Sequence, residues 1–272
     1  MAHGKVWLVG AGPGDADLLT VKALRVLEAA DVIVADRLGA RSVLAGLQTA
    51  GVHIGAEVLD VGKLPGSHAV PQDGINEMLV SLGREGKNVV RLKGGDPYVF
   101  GRGSEELDAC REAGIDVEVV PGITSAISVP AIAGIPVTHR GLATAFTVVT
   151  GHDQIAEIGG GRDHTVVLLM GVGTLAHSAL ILARGERGSD CPVAVIEDAY
   201  GPGERITVGT LGTIAAQAAE RGIRSPAVVV IGDVVRVSPH APDELAVSSL
   251  AISNELSARL IAEHSPKGTL SD

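Results

Sequence analysis

The sequence predicts a two-domain α/β protein, with a mainly parallel sheet in the N-terminal domain and a mixed sheet in the C-terminal one. Three observations carry that expectation. Short apolar runs alternate with amphipathic stretches through residues 5–133, the pattern of parallel strands with helices packed on them. Beyond about residue 137, strand-like runs outnumber helix-like ones. The chain has 272 residues, 46% of them hydrophobic, with 36 glycines and 13 prolines dispersed among the apolar runs rather than pooled. That composition suits a compact, turn-rich protein and excludes a disordered or collagen-like one.

In chain order, Lys5–Val9 reads as a strand ending in glycines. Leu19–Ala30 reads as a helix with Val21, Leu24 and Leu27 as its apolar stripe. Val32–Ala35 and Glu57–Val61 are strands. Pro71 opens a helix through Gly83, because proline lacks the amide that a first helical turn leaves unbonded. Strands follow at Asn88–Leu92 and Val117–Val120, around a helix at Ser104–Ala113 that Gly114 stops. Ile123–Ala133 is helical up to the Gly134-Ile135-Pro136 turn. In the second half, strands are expected at Ala145–Thr150, Thr165–Met170, Val193–Glu197, Arg205–Gly209 and Ala227–Gly232. Helices are expected at Thr174–Ala183 and Leu211–Arg221. Domains of 1–136 and 137–240 result, with a tail of 241–272 holding a helical stretch at Asn254–His264.

The gross features exclude several function classes. There is no HxxxH, HExxH or CxxC spacing, so no metal site is expected, and Cys110 and Cys191 read as reduced structural thiols. No signal-peptide pattern appears at the start and no apolar run approaches the roughly 20 residues that span a bilayer. A cytoplasmic protein is expected, away from membranes. Lysine plus arginine number 22 against 32 aspartates plus glutamates, a net −10, and aromatics make up 2%. Nucleic-acid binding wants a basic surface and stacking rings, and this chain has neither.

Three strand-to-helix turns carry the chemistry. Gly10-Ala11-Gly12-Pro13-Gly14-Asp15 lets backbone approach a ligand closely, though a merely tight turn reads the same way, and Pro13 breaks the dinucleotide fingerprint. Arg91-Leu92-Lys93-Gly94-Gly95-Asp96-Pro97-Tyr98-Val99-Phe100-Gly101-Arg102-Gly103 follows a buried strand, where open α/β sheets present ligand loops. Asp96 offers an acceptor there, and Pro97 stiffens the exit. In Pro121-Gly122-Ile123-Thr124-Ser125, Thr124 reads as a helix cap and Ser125 as a ligand contact, with capping alone as the equal alternative. Asp36 ends a buried strand at the edge where sites collect, with a helix cap or a surface ion pair as its alternative roles. Lys63, on the residues alone, reads as a solvated lysine.

These turns, with VIVADRL at 32–38, Gly62-Lys63, VVRLKGGDPYVFGRGSEE at 89–106, VVPGITSA at 119–126 and AGIPVTHR at 133–140, resemble the tetrapyrrole methylase family. Within it they resemble the members that methylate uroporphyrinogen III. The likeness runs from about Val6 to Val235. It implies S-adenosylmethionine as methyl donor, S-adenosylhomocysteine as product, a cleft between two α/β domains, and a homodimer. The implied reaction places two methyl groups on ring carbons 2 and 7 to give precorrin-2, a precursor of sirohaem and cobalamin. By motif, the resemblance implies cofactor contacts from Pro13, Gly94, Gly95, Asp96, Val99, Thr124, Ser125, Met170 and Ala199. Ala199 departs from the glycine usual there. Asp36 and Lys63 match the positions of proton acceptor and proton donor.

The substrate so implied carries eight carboxylates, which sits uneasily with a net −10. Segment 84–102 nevertheless holds Arg84, Lys87, Arg91, Lys93 and Arg102 against Glu85 and Asp96, a local +3. At an effective dielectric of 20 a cation 4 Å from a carboxylate is worth about 4 kcal/mol before desolvation, while salt screens diffuse charge beyond about 8 Å. Arg91, Lys93 and Arg102 are therefore the expected carboxylate partners. Open alternatives are a methylase of a later corrinoid intermediate and a pocket-bearing protein without catalysis.

Overall fold

The computed structural model describes residues 4–36, 39–62, 70–151 and 155–264, with side chains described through residue 256. It divides into two compact units, residues 1–128 with 199–202, and residues 129–198 with 203–272.

The first unit is built on β1 (Lys5–Gly10), β2 (Val32–Ala35), β3 (Glu57–Asp60), β4 (Val89–Lys93) and β5 (Asp116–Val120). They form one sheet in the order β3-β2-β4-β1-β5, parallel throughout. Such sheets are covered on both faces, so their central strands read as near-continuous apolar runs. Val6 and Leu8 of β1 join one core with Val32, Val34, Leu79 and Leu107. Val9 joins the opposite core with Ile33, Val90, Leu92, Leu27 and Leu47. The alternation is the period-2 geometry of a strand.

Four helices connect these strands, α1 (Val21–Glu28), α2 (Ala40–Thr49), α3 (Gln72–Arg84) and α4 (Gly103–Glu112), and α5 (Ser125–Ile132) follows β5. The Thr20 hydroxyl accepts from the Ala23 amide at 3.1 Å and caps α1. Pro71 caps α3 in extended conformation, where its missing amide costs nothing. The sequence reading had no helix between the second and third strands. In α2, Gly46 interrupts the helical signal, and its interior place has a packing reason, since a Cβ there would lie 2.9 Å from the Ala16 Cβ.

The second unit carries β6 (Ala145–Thr150), β7 (His164–Leu169), β8 (Pro192–Glu197), β9 (Arg205–Thr210) and β10 (Ala227–Ile231). The order is β6-β7-β10-β8-β9, with β6 and β7 parallel and the other pairs antiparallel. Its helices are α6 (Leu175–Arg184), α7 (Ile214–Glu220) and α8 (Ser249–His264). Leu175, Ala179, Leu182 and Ile214 pack on Val166, Leu168, Val193, Val195 and Val229 in one core. A parallel first sheet and a mixed second one are the fold class expected from the sequence.

Candidate active site

Three strand ends of the first sheet meet where backbone touches backbone. Ala11 donates to the Lys93 carbonyl at 2.7 Å, and Gly12 and Gly95 exchange amide bonds of 3.1 and 2.8 Å. A Cβ on Gly10 would sit 2.5 Å from the Gly122 Cα, and one on Gly122 only 2.2 Å from the Gly95 carbonyl oxygen. The three turns singled out in the sequence are therefore one structure at the carboxyl edge of the sheet, where open α/β sheets take ligands. Asp96 ties it together. One carboxylate oxygen accepts from the Gly122 amide at 3.0 Å and the other from the Tyr98 amide at 2.8 Å.

Around this edge, Gly94 is exposed, and Pro13, Gly95, Val99, Thr124 and Ser125 are half-buried. The Thr124 hydroxyl accepts from the Ala126 amide at 3.3 Å, so the capping role is realised at the start of α5. Beyond Val99 the chain wraps back on Pro97, whose carbonyl takes the Gly103 amide at 3.0 Å. Cβ atoms on Gly101 or Gly103 would each lie 2.5 Å from that oxygen, which accounts for both glycines of the motif. Phe100 and Arg102 have φ of 53° and 56°, the left-handed region that costs a non-glycine residue strain and gathers at functional loops.

Asp36 follows β2 at the same edge, its side chain 35% exposed, and its amide donates to the Leu92 carbonyl at 3.0 Å. The Arg91 guanidinium donates from Nη2 to Asp36 Oδ1 at 2.5 Å. The three cations expected to meet substrate carboxylates are placed differently from one another. Arg91 and Lys93 are 2% and 3% exposed and both bind Glu106, at 3.0 and 2.8 Å. Burial, with the Arg91 charge beside it, pushes the Lys93 ammonium below the usual lysine range, and Glu106 partly offsets this. These two cations are held by internal carboxylates because a charge taken from water must be paired. Arg102 is exposed and forks onto Glu105 at 2.7 and 2.6 Å. Lys63 lies outside the described residues.

Met170 and Ala199 belong to two further turns. Met170 follows β7, exposed and left-handed at φ 53°. Beside it Gly151 donates to the Leu169 carbonyl at 2.8 Å, and a Cβ on Gly151 would meet the Gly171 Cα at 2.4 Å. The parallel pair of the second sheet thus ends in the same close glycine contact as the first sheet. Ala199 lies between Asp198 and Tyr200, left-handed at φ 48° and 65°. Ala199 itself has no positive φ, so alanine is unstrained where glycine was expected.

Glu106 is the site residue that the sequence reading missed. A glutamate on a helix is normally solvated, yet two cations on a buried strand demand a buried anion, and that signal was present. Among the described residues no group of three or more His, Cys, Asp or Glu is placed to hold a metal ion, and no helix is long and apolar enough to cross a membrane.

The parallel sheet and its glycine-built carboxyl edge, with one half-exposed carboxylate held by a buried arginine, define an α/β protein that takes a small ligand at its strand ends. The profile of the Tetrapyrrole (Corrin/Porphyrin) Methylases matches residues 5–215, and the chain belongs to that family. It is 49% identical over 243 residues to the "S-adenosyl-L-methionine-dependent uroporphyrinogen III methyltransferase" of Methanosarcina barkeri, covering 86% of this chain and 93% of that one. It is 45% identical over 241 residues to the "Uroporphyrinogen-III C-methyltransferase" of Methanocaldococcus jannaschii, covering 86% and 98%. A crystal structure of uroporphyrin-III C-methyl transferase from Thermus thermophilus, complexed with S-adenyl homocysteine, superposes with a TM-score of 0.72 at 40% identity, covering 86% of this chain and all of that one.

Proposed function

We propose that this protein is an S-adenosylmethionine-dependent C-methyltransferase that places two methyl groups on uroporphyrinogen III to give precorrin-2. The observation that carries the reading is the abutment of Gly10, Gly95 and Gly122 at the carboxyl edge, next to a carboxylate already engaged by an arginine. The relatives named above support the substrate and the donor. The edge fits such a donor, since the exposed Gly94 and the half-buried Pro13, Gly95, Val99, Thr124 and Ser125 present mostly backbone and small side chains. Met170 and Ala199 are proposed as further contacts. When bound, S-adenosylmethionine supplies a methyl group already activated on sulfur.

The protein's own work is to align an electron-rich ring carbon, exclude water and remove a proton. Asp36 is the proposed base, taking that proton on its carboxylate while Arg91 fixes the Oδ1 side. Asp96 acts by joining the second and third turns through its two amide bonds, which keeps the backbone edge in shape. Arg102, exposed and paired with Glu105 on its own helix turn, is the proposed partner of a substrate carboxylate. Lys63 is proposed as proton donor on the motif alone. We further propose domains divided near residue 136, a homodimer, and a cytoplasmic location, which suits an enzyme of an intracellular pathway.

The test is anaerobic incubation of the purified protein with uroporphyrinogen III and S-adenosylmethionine labelled in its methyl group. Two labelled methyl groups on the tetrapyrrole are expected. Tight binding of S-adenosylhomocysteine with no label transferred would leave only a cofactor-binding protein, and label accepted solely by a later corrinoid would reassign the substrate.

A further inference from the structure

We propose that Glu106 is a positioning residue for methyl transfer, fixing Arg91 from inside the fold and thereby holding Asp36 at the carboxyl edge of the first sheet. The inference rests on the reading of Asp36 as the base.

Glu106 sits on α4 with a side chain 0% exposed. Three donors from two elements converge on its Oε1: Arg91 Nε at 3.0 Å and Lys93 Nζ at 2.8 Å from β4, and Gln72 Nε2 at 3.2 Å from the start of α3. Its Oε2 is buried without a hydrogen-bond partner among the described residues. Neutralising two cations would be served better by both oxygens. Loading one of them instead orients the guanidinium, whose planar fork has a fixed relation between its edges. With Nε on Glu106, Nη1 reaches the Val34 and Leu92 carbonyls at 3.3 and 3.4 Å and Nη2 reaches Asp36 Oδ1 at 2.5 Å. All three nitrogens are anchored, and only the Nη2 partner is open to solvent.

The charges close on themselves. Asp36 and Glu106 balance Arg91 and Lys93, so the cluster is neutral when all four are ionised. The Cys110 thiol, one turn along α4, stays neutral, held up at about 11 first by burial and then by the Glu106 carboxylate. Arg91 thus has two carboxylates, one sealed and one half-exposed, and the sealed one sets where the exposed one is held. Positioning of this kind acts on kcat, because the base must lie within hydrogen-bond reach of the proton it removes.

The experiment is a double-mutant cycle on the labelled methyl-transfer assay, using Glu106→Gln, Asp36→Asn and the pair. Glu106→Gln is expected to lower kcat by at least about tenfold while KM and S-adenosylhomocysteine affinity stay within about twofold. In the Asp36→Asn background the same change should cost less than about twofold, because the lever no longer has a load. Since Glu106→Gln strands a buried positive charge, Glu106→Gln with Lys93→Met serves as a neutral second variant, compared with Lys93→Met alone. The same fall in kcat is expected there. Additive losses in the cycle, a loss shared by cofactor affinity, or an unchanged kcat in the neutral variant would each overturn the positioning role. An Asp36→Asn protein with undiminished kcat would instead sink the reading of Asp36 as base, whatever Glu106 does.

Discussion

The first unit buries Arg91 and the second buries Arg187, each 2% exposed, and the two arginines are used in opposite ways. Arg91 meets two carboxylates and ends at a half-exposed one. Arg187 meets backbone, its Nη1 donating to the Gly161 and His164 carbonyls at 2.7 Å each and its Nη2 reaching Gly159 at 3.4 Å. Burial lowers the Arg187 guanidinium from its ordinary value. One cation transmits position outward to a proposed reacting group, while the other gathers a glycine turn. The two cysteines behave alike by contrast, Cys110 and Cys191 both buried and pushed up to about 11 by that burial. Burial alone therefore makes no site, and what distinguishes the first unit is the chain of partners leading to solvent.

Four changes would break or sharpen that contrast, given from the largest effect to the smallest. Gly122→Ala forces a Cβ to within 2.2 Å of the Gly95 carbonyl and must separate the turns. S-adenosylhomocysteine affinity, read by calorimetry, should fall by at least about tenfold, with more than about 3 kcal/mol of stability lost to overpacking. Wild-type affinity would mean that the glycine contact is not what shapes the ligand edge. Arg187→Met leaves three carbonyls short of a donor and should cost about 3 kcal/mol in denaturant unfolding. Its kcat per folded molecule should be unchanged, and a selective loss of kcat would erase the distinction between the two arginines.

Arg102→Glu probes an exposed charge, so its effect should be modest and screened. The KM for the tetrapyrrole is expected to rise about fivefold at low salt and to return toward the wild-type value at high salt. A rise independent of salt would point to a shape change rather than a lost carboxylate partner. Glu118→Gln is the smallest. Lys22, and then Lys5, hold the Glu118 carboxyl down to about 2. A depressed folded value stabilises above the unfolded pKa of about 4.3 and is lost as pH falls through the folded value. The variant's melting temperature should therefore lie slightly below wild type at pH 7, and the gap should close by about pH 2. A gap that widened on acidification would reverse the assigned sign.

Much of the fold was legible because its signals are local. β1 shows as apolar residues closed by glycines, and α3 opens on Pro71. The three glycine turns were legible too, since glycine and proline spacing reports backbone geometry directly. What escaped depends on partners far along the chain. Nothing near Gly46 in the sequence says that Ala16 packs against it, and so α2 went unread. Arg91 and Lys93 were expected to meet substrate carboxylates, because the carboxylate that claims them lies more than ten residues later on a helix. Arg187, in the run Arg184-Gly185-Glu186-Arg187-Gly188, carries no local sign of its burial. In each case composition indicated the residue's chemistry, while tertiary pairing decided whether that chemistry faces a ligand or the interior.

The strand order of the first sheet has a further consequence, during synthesis. β1 is the second strand from one edge, and its two neighbours are β4 and β5. A ribosome must add about 80 residues after β1 before β4 exists, which at roughly 5–20 residues per second takes about 4–16 s. Throughout that interval Val6, Leu8 and Val9, all fully buried in the finished protein, have no strand to pair with. The nascent β1 is thus an apolar segment awaiting its partners, and the demand it places on chaperones falls before the glycine edge has formed.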